Sequence, residues 1–320
     1  MSKGILSDPI FHDAELARVW LENRLWKDGP SCPHCGVVDE ATLMRGKSHR
    51  PGLYQCNACR EPFTVTVGTL YERSKVPLNT WLAATQLLMS SKKGMSALQV
   101  GRMLGLSKKT AWFLCHRIRE SVKIAASSKM GGSGSIVEAD ETYHGPIDQP
   151  KATKTTRGLP FTKGGKGGVS QKRAIVSLVE RGGKVRSFHV PRADGETVAK
   201  IVNENIHHET TLYTDESRLY TKVGQNFAAH ETVMHSAKEY ARGPVHTNTI
   251  EGYFSIFKRG MRGVYQHCQE KHLHRYLAEF DFRYNHREGL GYSDADRMSV
   301  SIPGIVGKRL TYRRTHSAGI

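Results

Sequence analysis

Four of the six cysteines in this 320-residue chain stand in two C-x-x-C pairs, Cys32/Cys35 and Cys56/Cys59. Each pair sets two thiols in one tight turn, and two such turns close a four-sulfur site of the structural Zn2+ type. Pro33, Gly36 and Asn57 suit the turns, while Tyr54 and Phe63 suit the strand edges of a zinc ribbon. The protein fills all four positions, so the metal folds a module too small to hold itself together and leaves no place for a reacting water. His34 lies inside the first pair and is not needed as a ligand. Cys115 and Cys268 stand alone and read as buried thiols. Six cysteines in a chain of this length exclude a disulfide scaffold and favour a reducing cytoplasm.

Charge narrows the partner. Lys and Arg total 47 against 30 acidic residues, a net charge of +17, which makes a polyanion the first partner to consider. No window is apolar enough for a membrane helix, and the opening residues lack the apolar core of a signal peptide. A cytoplasmic protein without membrane contact is expected.

The pattern divides the chain into an N-terminal helix and zinc ribbon (1–70), a helix-turn-helix region (71–126), a small, polar linker (127–135), an α/β domain (136–298) and a basic tail (299–320). The first helix is expected to bury Phe11, Leu16, Val19, Trp20 and Leu25. In the second region, Leu98, Val100 and Leu104 should face inward from a short helix. Gly105 and Leu106 make the turn, and Ser107 caps a second helix from Lys108. That helix sets Ala111, Leu114 and Ile118 inward and Lys108, Lys109, Thr110, His116, Arg117 and Arg119 outward. A short helix, a glycine turn and a helix with a basic start is the form that reads a major groove. Lys108, Lys109 and Arg117 are its candidate DNA contacts.

Beyond the linker, strands and helices alternate. SIVEADETY, AIVSLVERGGKVRSFHV and TTLYTDES read as strands, and GETVAKIVNENI and TNTIEGYFSIFKRGM as helices. Asp140 sits in the first of these strands and Asp215 ends the last, while Glu251 opens a helix whose buried stripe is Ile250, Phe254, Phe257 and Met261. Lys258, two turns after Glu251, lies on a neighbouring face and can meet a phosphate. Two aspartates at strand ends and a glutamate on a helix supply oxygen ligands for a pair of Mg2+ ions. Glu138, Glu141 and Glu216 stand close by in sequence, so the residues alone leave the ligand set open.

Taken together, CPHCG, YQCNACREPFTVTVGT, VPLNTW, VEADETYHG, LYTDES and HTNTIEGYFSIFKRG resemble the zinc-ribbon, ISXO-type DDE transposases of bacterial insertion sequences. The resemblance runs from about residue 20 to 290. It implies an RNase H-like catalytic domain preceded by a zinc ribbon and a helix-turn-helix. Asp140, Asp215 and Glu251 are then the catalytic carboxylates that hold Mg2+ or Mn2+, and Lys258 is the basic residue after the glutamate. Related members can carry Asn at the third position, which makes Asn248 a possible assisting residue. The resemblance further implies binding to terminal inverted repeats, 3′-end cleavage, strand transfer and a homo-oligomer on DNA. The rival readings are a DNA-binding regulator with an inactive RNase H-like domain and a plain metal-dependent nuclease.

Two further basic stretches call for a role. Residues 146–173 carry Lys151, Lys154, Arg157, Lys163, Lys166, Lys172 and Arg173 against Asp148. They read as a loop that clamps DNA phosphates or as a solvated linker. Lys271, His272, Arg275, Arg283 and Arg287 on the last long helix could line a DNA path, with Tyr276, Phe280 and Tyr284 in the core.

Overall fold

The computed structural model describes residues 4–123, 128–148, 153–154, 160–161, 172–234 and 241–311. The chain forms two units, Met1–Ile124 with Tyr292–Ile320, and Ala125–Gly291.

In the first unit, Asp13 caps α1 (Ala14–Leu25) by accepting from the amides of Glu15 and Leu16. The helix buries Ala17 and Leu21, with Phe11 just ahead of it, whereas Leu16 and Val19 are exposed. The expected stripe was therefore rotated: Leu21 lies one turn beyond Ala17, and Leu16 and Val19 fall on another face. The ribbon follows as an antiparallel sheet of β1 (Ala41–Leu43), β2 (Tyr54–Cys56) and β3 (Pro62–Phe63). Its core is small: Trp26, Tyr54 and Phe63 meet ring to ring, with centroids 5.2 to 5.9 Å apart, over buried Cys32 and Cys56. Then come α2 (Leu78–Ser90), which buries Trp81, Leu82, Leu88 and Met89, α3 (Ala97–Met103) and α4 (Lys108–Ser121).

The second unit opens with β4 (Ile136–Pro146), followed by a short ladder of β5 (Thr153–Lys154) and β6 (Pro160–Phe161). Most of the basic insert at 146–173 lies outside the described residues. After it come β7 (Lys172–Glu180), β8 (Val185–Val190), α5 (Gly195–Asn205), β9 (Thr211–Asp215), α6 (Thr221–Gly224) and β10 (Ala229–Val233). The ladder β11 (Ala241–Arg242) and β12 (Val245–His246) leads into α7 (Asn248–Gly260) and then α8 (Leu273–Asn285). Five strands form one sheet in the order β10-β9-β4-β7-β8. β4, β7 and β8 form an antiparallel meander, and β9 and β10 join parallel to β4's direction. Numbered within the sheet this is 3-2-1-4-5, the RNase H-like topology.

Alternation along β4 and β7 gives the sheet two apolar faces. Val137, Ala139, Val176 and Leu178 pack with Val198 and Val202 of α5. Ile175 and Val179 pack with Ile250, Tyr253 and Phe257 of α7 and Leu277 and Phe280 of α8. The stripe expected on α7 is buried throughout, from Ile250 to Met261.

The C-terminal segment departs from the expected boundary. Within the first unit, α9 (Asp294–Ser301) packs on α2, and Thr69 pairs with Val306 in an antiparallel bridge. Ile302, Ile305 and Leu310 are buried. Lys308 donates to the carbonyls of Glu120, Ser121 and Lys123 and so closes the C-terminal end of α4. Residues 299–311 are thus an integral strap rather than a tail, because their apolar positions find partners at Leu70 and α4, far away in the sequence. Gly304 makes the closest approach: a Cβ there would stand 2.0 Å from the Ser121 carbonyl oxygen. Gly304→Ala is therefore expected to cost about 1–3 kcal/mol by overpacking against backbone, read as lower thermal stability.

Candidate functional site

The ribbon's four sulfurs converge. Sγ of Cys32 lies 3.7 Å from that of Cys59, and Cys35 stands equally far from Cys56. All four lie within 4.8 Å of one another. A tetrahedron with metal–sulfur bonds near 2.3 Å has edges of about 3.8 Å, so the set fits one zinc ion. The amide of Cys59 points at Cys56 Sγ, and it and the Ala58 amide hold that thiol down at about 7, toward the thiolate a metal needs. The ring contacts of Trp26, Tyr54 and Phe63 support these turns from below. The structural zinc reading of the cysteine spacing agrees with this geometry.

The helix-turn-helix elements form where the caps predict. Ser96 accepts from the Gln99 amide to start α3, and Ser107 accepts from the Thr110 amide to start α4. Gly105 takes φ +65° in the turn between them, a conformation that suits glycine. Lys108 and Lys109 are exposed at the start of α4. Three expectations for this region change. Leu98 is half exposed rather than inward, while His116 and Arg119 are buried rather than outward. Arg117 is half-buried, and its Nη1 donates to the carbonyls of Leu70 and Glu72. Helical spacing alone cannot say which second face of α4 is covered; here the segment at 69–72 and the C-terminal strap cover it.

At one end of the larger sheet the carboxylates gather. The parallel ladder pairs Ile136 with Thr211, Val137 with Leu212 and Glu138 with Tyr213. Carried two residues further, this register sets Asp140 beside Asp215, on the face that bears α7. Asp140 accepts from the Glu141 amide at 2.7 Å, and Asp215 from the Ser217 amide at 3.0 Å. Burial first, then the negative charges of Asp215, Glu141 and Glu251, push the Asp140 carboxyl up to about 8. A carboxyl so burdened by its neighbours fits a cation-binding position, since a bound cation would relieve both repulsion and desolvation. Among the described residues, the four cysteines are the group of three or more metal-ligating side chains whose ligand atoms already stand at the separation one ion needs.

Glu251 lies in the first turn of α7 and Thr247 Oγ1 donates to it at 3.3 Å; Asn248, the first residue of that helix, is exposed. Lys258 is held below its usual range by burial, against the opposing pull of Asp140, so this ammonium shares the carboxylates' surroundings. Glu141 turns to the other face, where buried Tyr220 donates to it at 3.0 Å. Glu216 is exposed beyond the strand end.

A residue that the sequence reading noted only as a neighbour positions this group. Glu138 is fully buried. Its Oε1 accepts from Arg181 Nε at 2.7 Å and Thr249 Oγ1 at 2.8 Å, and its Oε2 accepts from the Ile250 amide at 2.9 Å. A carboxylate of the central strand thus takes an amide at the N-terminus of α7, where the helix dipole favours negative charge. Arg181 also donates to the carbonyls of Pro244 and His246, tying the approach to α7 into the same knot. The signal in the sequence was an acid two residues before Asp140, and so on the same face of the strand.

Several basic candidates are engaged inside the fold. Arg173 is buried and pairs with Asp148 at 2.9 Å, Arg283 is buried against Glu279, and Arg287 donates to the Gly183 and Tyr284 carbonyls. His272 is buried and meets Arg275. Lys271 and Lys172 are exposed. Tyr276 and Phe280 are buried in the core, with Tyr284 at its edge, as their spacing predicts.

Asp140 stands inside β4 and not at the strand end that the sequence pattern had suggested, and Asp215 ends the neighbouring β9. An RNase H-like sheet with this pair, in a chain that also carries a four-cysteine ribbon, defines the fold class. Comparison with known proteins narrows it. Residues 131–285 match the ISXO2-like transposase domain, and residues 13–61 match the transposase zinc-ribbon domain. The chain thus carries an ISXO2-like transposase domain together with a transposase zinc-ribbon domain. It is 28% identical over 269 residues to an uncharacterized protein in transposable element ISH50 of Halobacterium salinarum, covering 81% of this chain and 86% of that one. It is 26% identical over 105 residues to an uncharacterized transposase-like protein of Haemophilus influenzae, covering 33% of this chain and 84% of the other. Among solved structures it is similar to the Mos1 strand transfer complex, with TM-score 0.28, 13% identity, 72% of this chain and 77% of that chain covered. No helix of the described residues is long and apolar enough to cross a membrane.

Two outcomes follow from this geometry. Purified protein should contain one zinc per chain, and Cys32→Ser should abolish it and lower the melting temperature, measured by metal analysis and calorimetry. Glu138→Ala should destabilise the fold by about 3 kcal/mol, because it strands Arg181 and the Ile250 amide, as denaturant unfolding will read.

Proposed function

We propose that this protein is a DNA transposase that cuts at the 3′ ends of its own insertion sequence and joins them to target DNA. The observation that carries the reading is the register of β4 and β9, which sets Asp140 beside Asp215, together with the anchor that holds Glu251 on α7 near them. The match to a transposase domain supports the same reading.

Asp140, Asp215 and Glu251 would hold divalent cations, Mg2+ or Mn2+; when bound, these supply charge stabilisation to the attacking and leaving oxygens of a phosphodiester. The protein's own contribution is placement. The Glu141 and Ser217 amides orient the two aspartates, and Glu138 fixes the start of α7. Lys258, half-buried beside the carboxylates, binds a phosphate oxygen of the DNA and offsets their negative charge. In the first step a water oxygen bonds to phosphorus, the bond from phosphorus to the 3′-oxygen breaks, and that oxygen takes a proton. In the second, the oxygen of the freed 3′-hydroxyl bonds to a target phosphorus and gives up its proton, the bond from that phosphorus to its own 3′-oxygen breaks, and the leaving oxygen takes a proton. One phosphorus–oxygen bond forms for each that breaks, so no external energy source is needed.

The zinc ribbon and helix-turn-helix recognise the terminal inverted repeats, with Lys108 and Lys109 at the start of α4 facing the DNA. Arg117, engaged with Leu70 and Glu72, is not a base reader in this proposal. Two ends must be brought together, which calls for a homo-oligomer on DNA.

Asp140→Asn, Asp215→Asn and Glu251→Gln should each lower 3′-end cutting and strand transfer by about 10²-fold or more. The losses should not add, since removing one ligand already disables the unit. Binding to element ends should survive, and Asn248→Ala should cut normally. Labelled ends and a plasmid target separate strand transfer from simple hydrolysis. Normal cutting by all three acid variants in Mg2+ would sink the catalytic assignment.

A further inference from the structure

The smaller unit holds a cavity of about 180 Å³, lined by Thr69, Glu72, Arg73, Arg117, Arg309 and Thr311 among others. Three guanidinium groups share it with a single carboxylate. That carboxylate is already engaged: Glu72 accepts from the Gly68 amide at 3.0 Å and lies 3.5 Å from Arg73 Nε. Arg117 is fixed before any ligand arrives. Its Nη1 donates to the carbonyls of Leu70 and Glu72, and its guanidinium lies 4.5 Å over the Phe113 ring. Its Nε is buried and has no hydrogen-bond partner. Arg309 stands near enough to repel it: burial and then the Arg309 charge hold Arg117 below its usual range. Arg309 and Arg73 are themselves exposed. Cations gathered in a concavity against their mutual repulsion are balanced best by an anion. Guanidinium forks match the oxygens of a phosphate.

We propose that Arg73, Arg117 and Arg309 form a phosphate-binding pocket that grips a backbone phosphate of duplex DNA beside the helix-turn-helix. The proposal rests on the DNA-binding reading given above. It replaces the expected base contact of Arg117 with a sequence-independent one. Position favours a backbone phosphate over a free anion. Arg117 lies on α4 eight residues after Lys109, about 12 Å along the helix at its rise of about 1.5 Å per residue. That span is close to the width of a major groove, about 12 Å. With the start of α4 in the groove, the pocket is level with the flanking sugar–phosphate strand. The C-terminal strap, held by Leu310 and by Lys308 on the end of α4, brings Arg309 to the place.

The test uses the full chain and a mixed-sequence duplex, with affinity measured over a range of salt. Arg73→Gln combined with Arg309→Gln removes two exposed side chains, and unchanged thermal unfolding checks that the fold is kept. The variant should bind about 3- to 10-fold more weakly. Its plot of log affinity against log salt should be shallower by about 0.9, the loss of one phosphate contact. Lys200→Gln, an exposed change on α5, should leave the slope as it is. Unchanged slope and affinity in the double variant, with normal binding by the parent protein, overturn the proposal. So does a pocket that serves a free anion only: inorganic phosphate would then raise the melting temperature of the parent and not of the variant, while DNA binding stayed equal. Failure of the parent protein to bind duplex at all would instead overturn the DNA-binding reading.

Discussion

Glu138 joins the centre of the larger sheet to the helix that carries Glu251. It has no contact with solvent and accepts from Arg181, Thr249 and the Ile250 amide. A buried carboxylate is costly unless each lone pair is used, and here a guanidinium, a hydroxyl and a helix N-terminus use them. The bond matters because most of what α7 buries against the sheet is apolar, such as Ile250 and Phe257 on Ile175 and Val179. Such contacts are strong but do not by themselves fix rotation about the helix axis. A charge-assisted hydrogen bond at the first turn does, and Glu251 is one residue further along. The placement of Asp140, Asp215 and Glu251 near one another therefore depends on a fourth acid that is not one of the three.

The same end of the sheet concentrates negative charge. Asp140 is pushed up to about 8 by burial and by three acidic neighbours. This arrangement works against stability, because each carboxylate raises the cost of ionising the others. Natural folds keep such conflicts where function needs them, and the surrounding scaffold holds them in place. The scaffold here is well provided: both faces of the sheet are covered, by α5 on one side and by α7 and α8 on the other. Asp281 of α8 is half-buried and accepts from Tyr253 and from Ser187 of β8. Two polar anchors thus flank the apolar packing of α7, one at Glu138 and one at Tyr253.

The smaller unit solves a different problem. Three aromatic rings and two buried cysteines make too little core to hold the ribbon, so four sulfurs at metal-binding separation complete it. The rest of that unit is held by the return of the chain. Ile302, Ile305 and Leu310 fill its interior, Lys308 closes α4, and Gly304 allows backbone to meet backbone at Ser121. The strap also carries Arg309 to the cavity at Arg117, so the segment that stabilises the unit shapes its electrostatic surface.

Much of this was legible in the residues. The C-x-x-C spacing determined the four-sulfur site, because two thiols in one turn need no distant partner to be brought together. Ser96 and Ser107 marked the starts of α3 and α4, since capping is a local hydrogen bond. The four-three-four spacing of Ile250, Phe254, Phe257 and Met261 told which side of α7 is buried. Tertiary structure decided the rest. Arg117, Arg173, Arg283 and Arg287 have the same charge as exposed Lys108 and Lys109, and only the carbonyls and carboxylates folded against them make them internal. Residues 299–311 looked like a basic tail because their apolar partners lie more than 170 residues earlier, at Leu70 and α4. Glu138 looked like one acid among several until the sheet register and the helix N-terminus met around it. Local spacing fixes which groups a turn or a helix presents, but which charges are neutralised inside the fold depends on contacts between segments far apart in the chain.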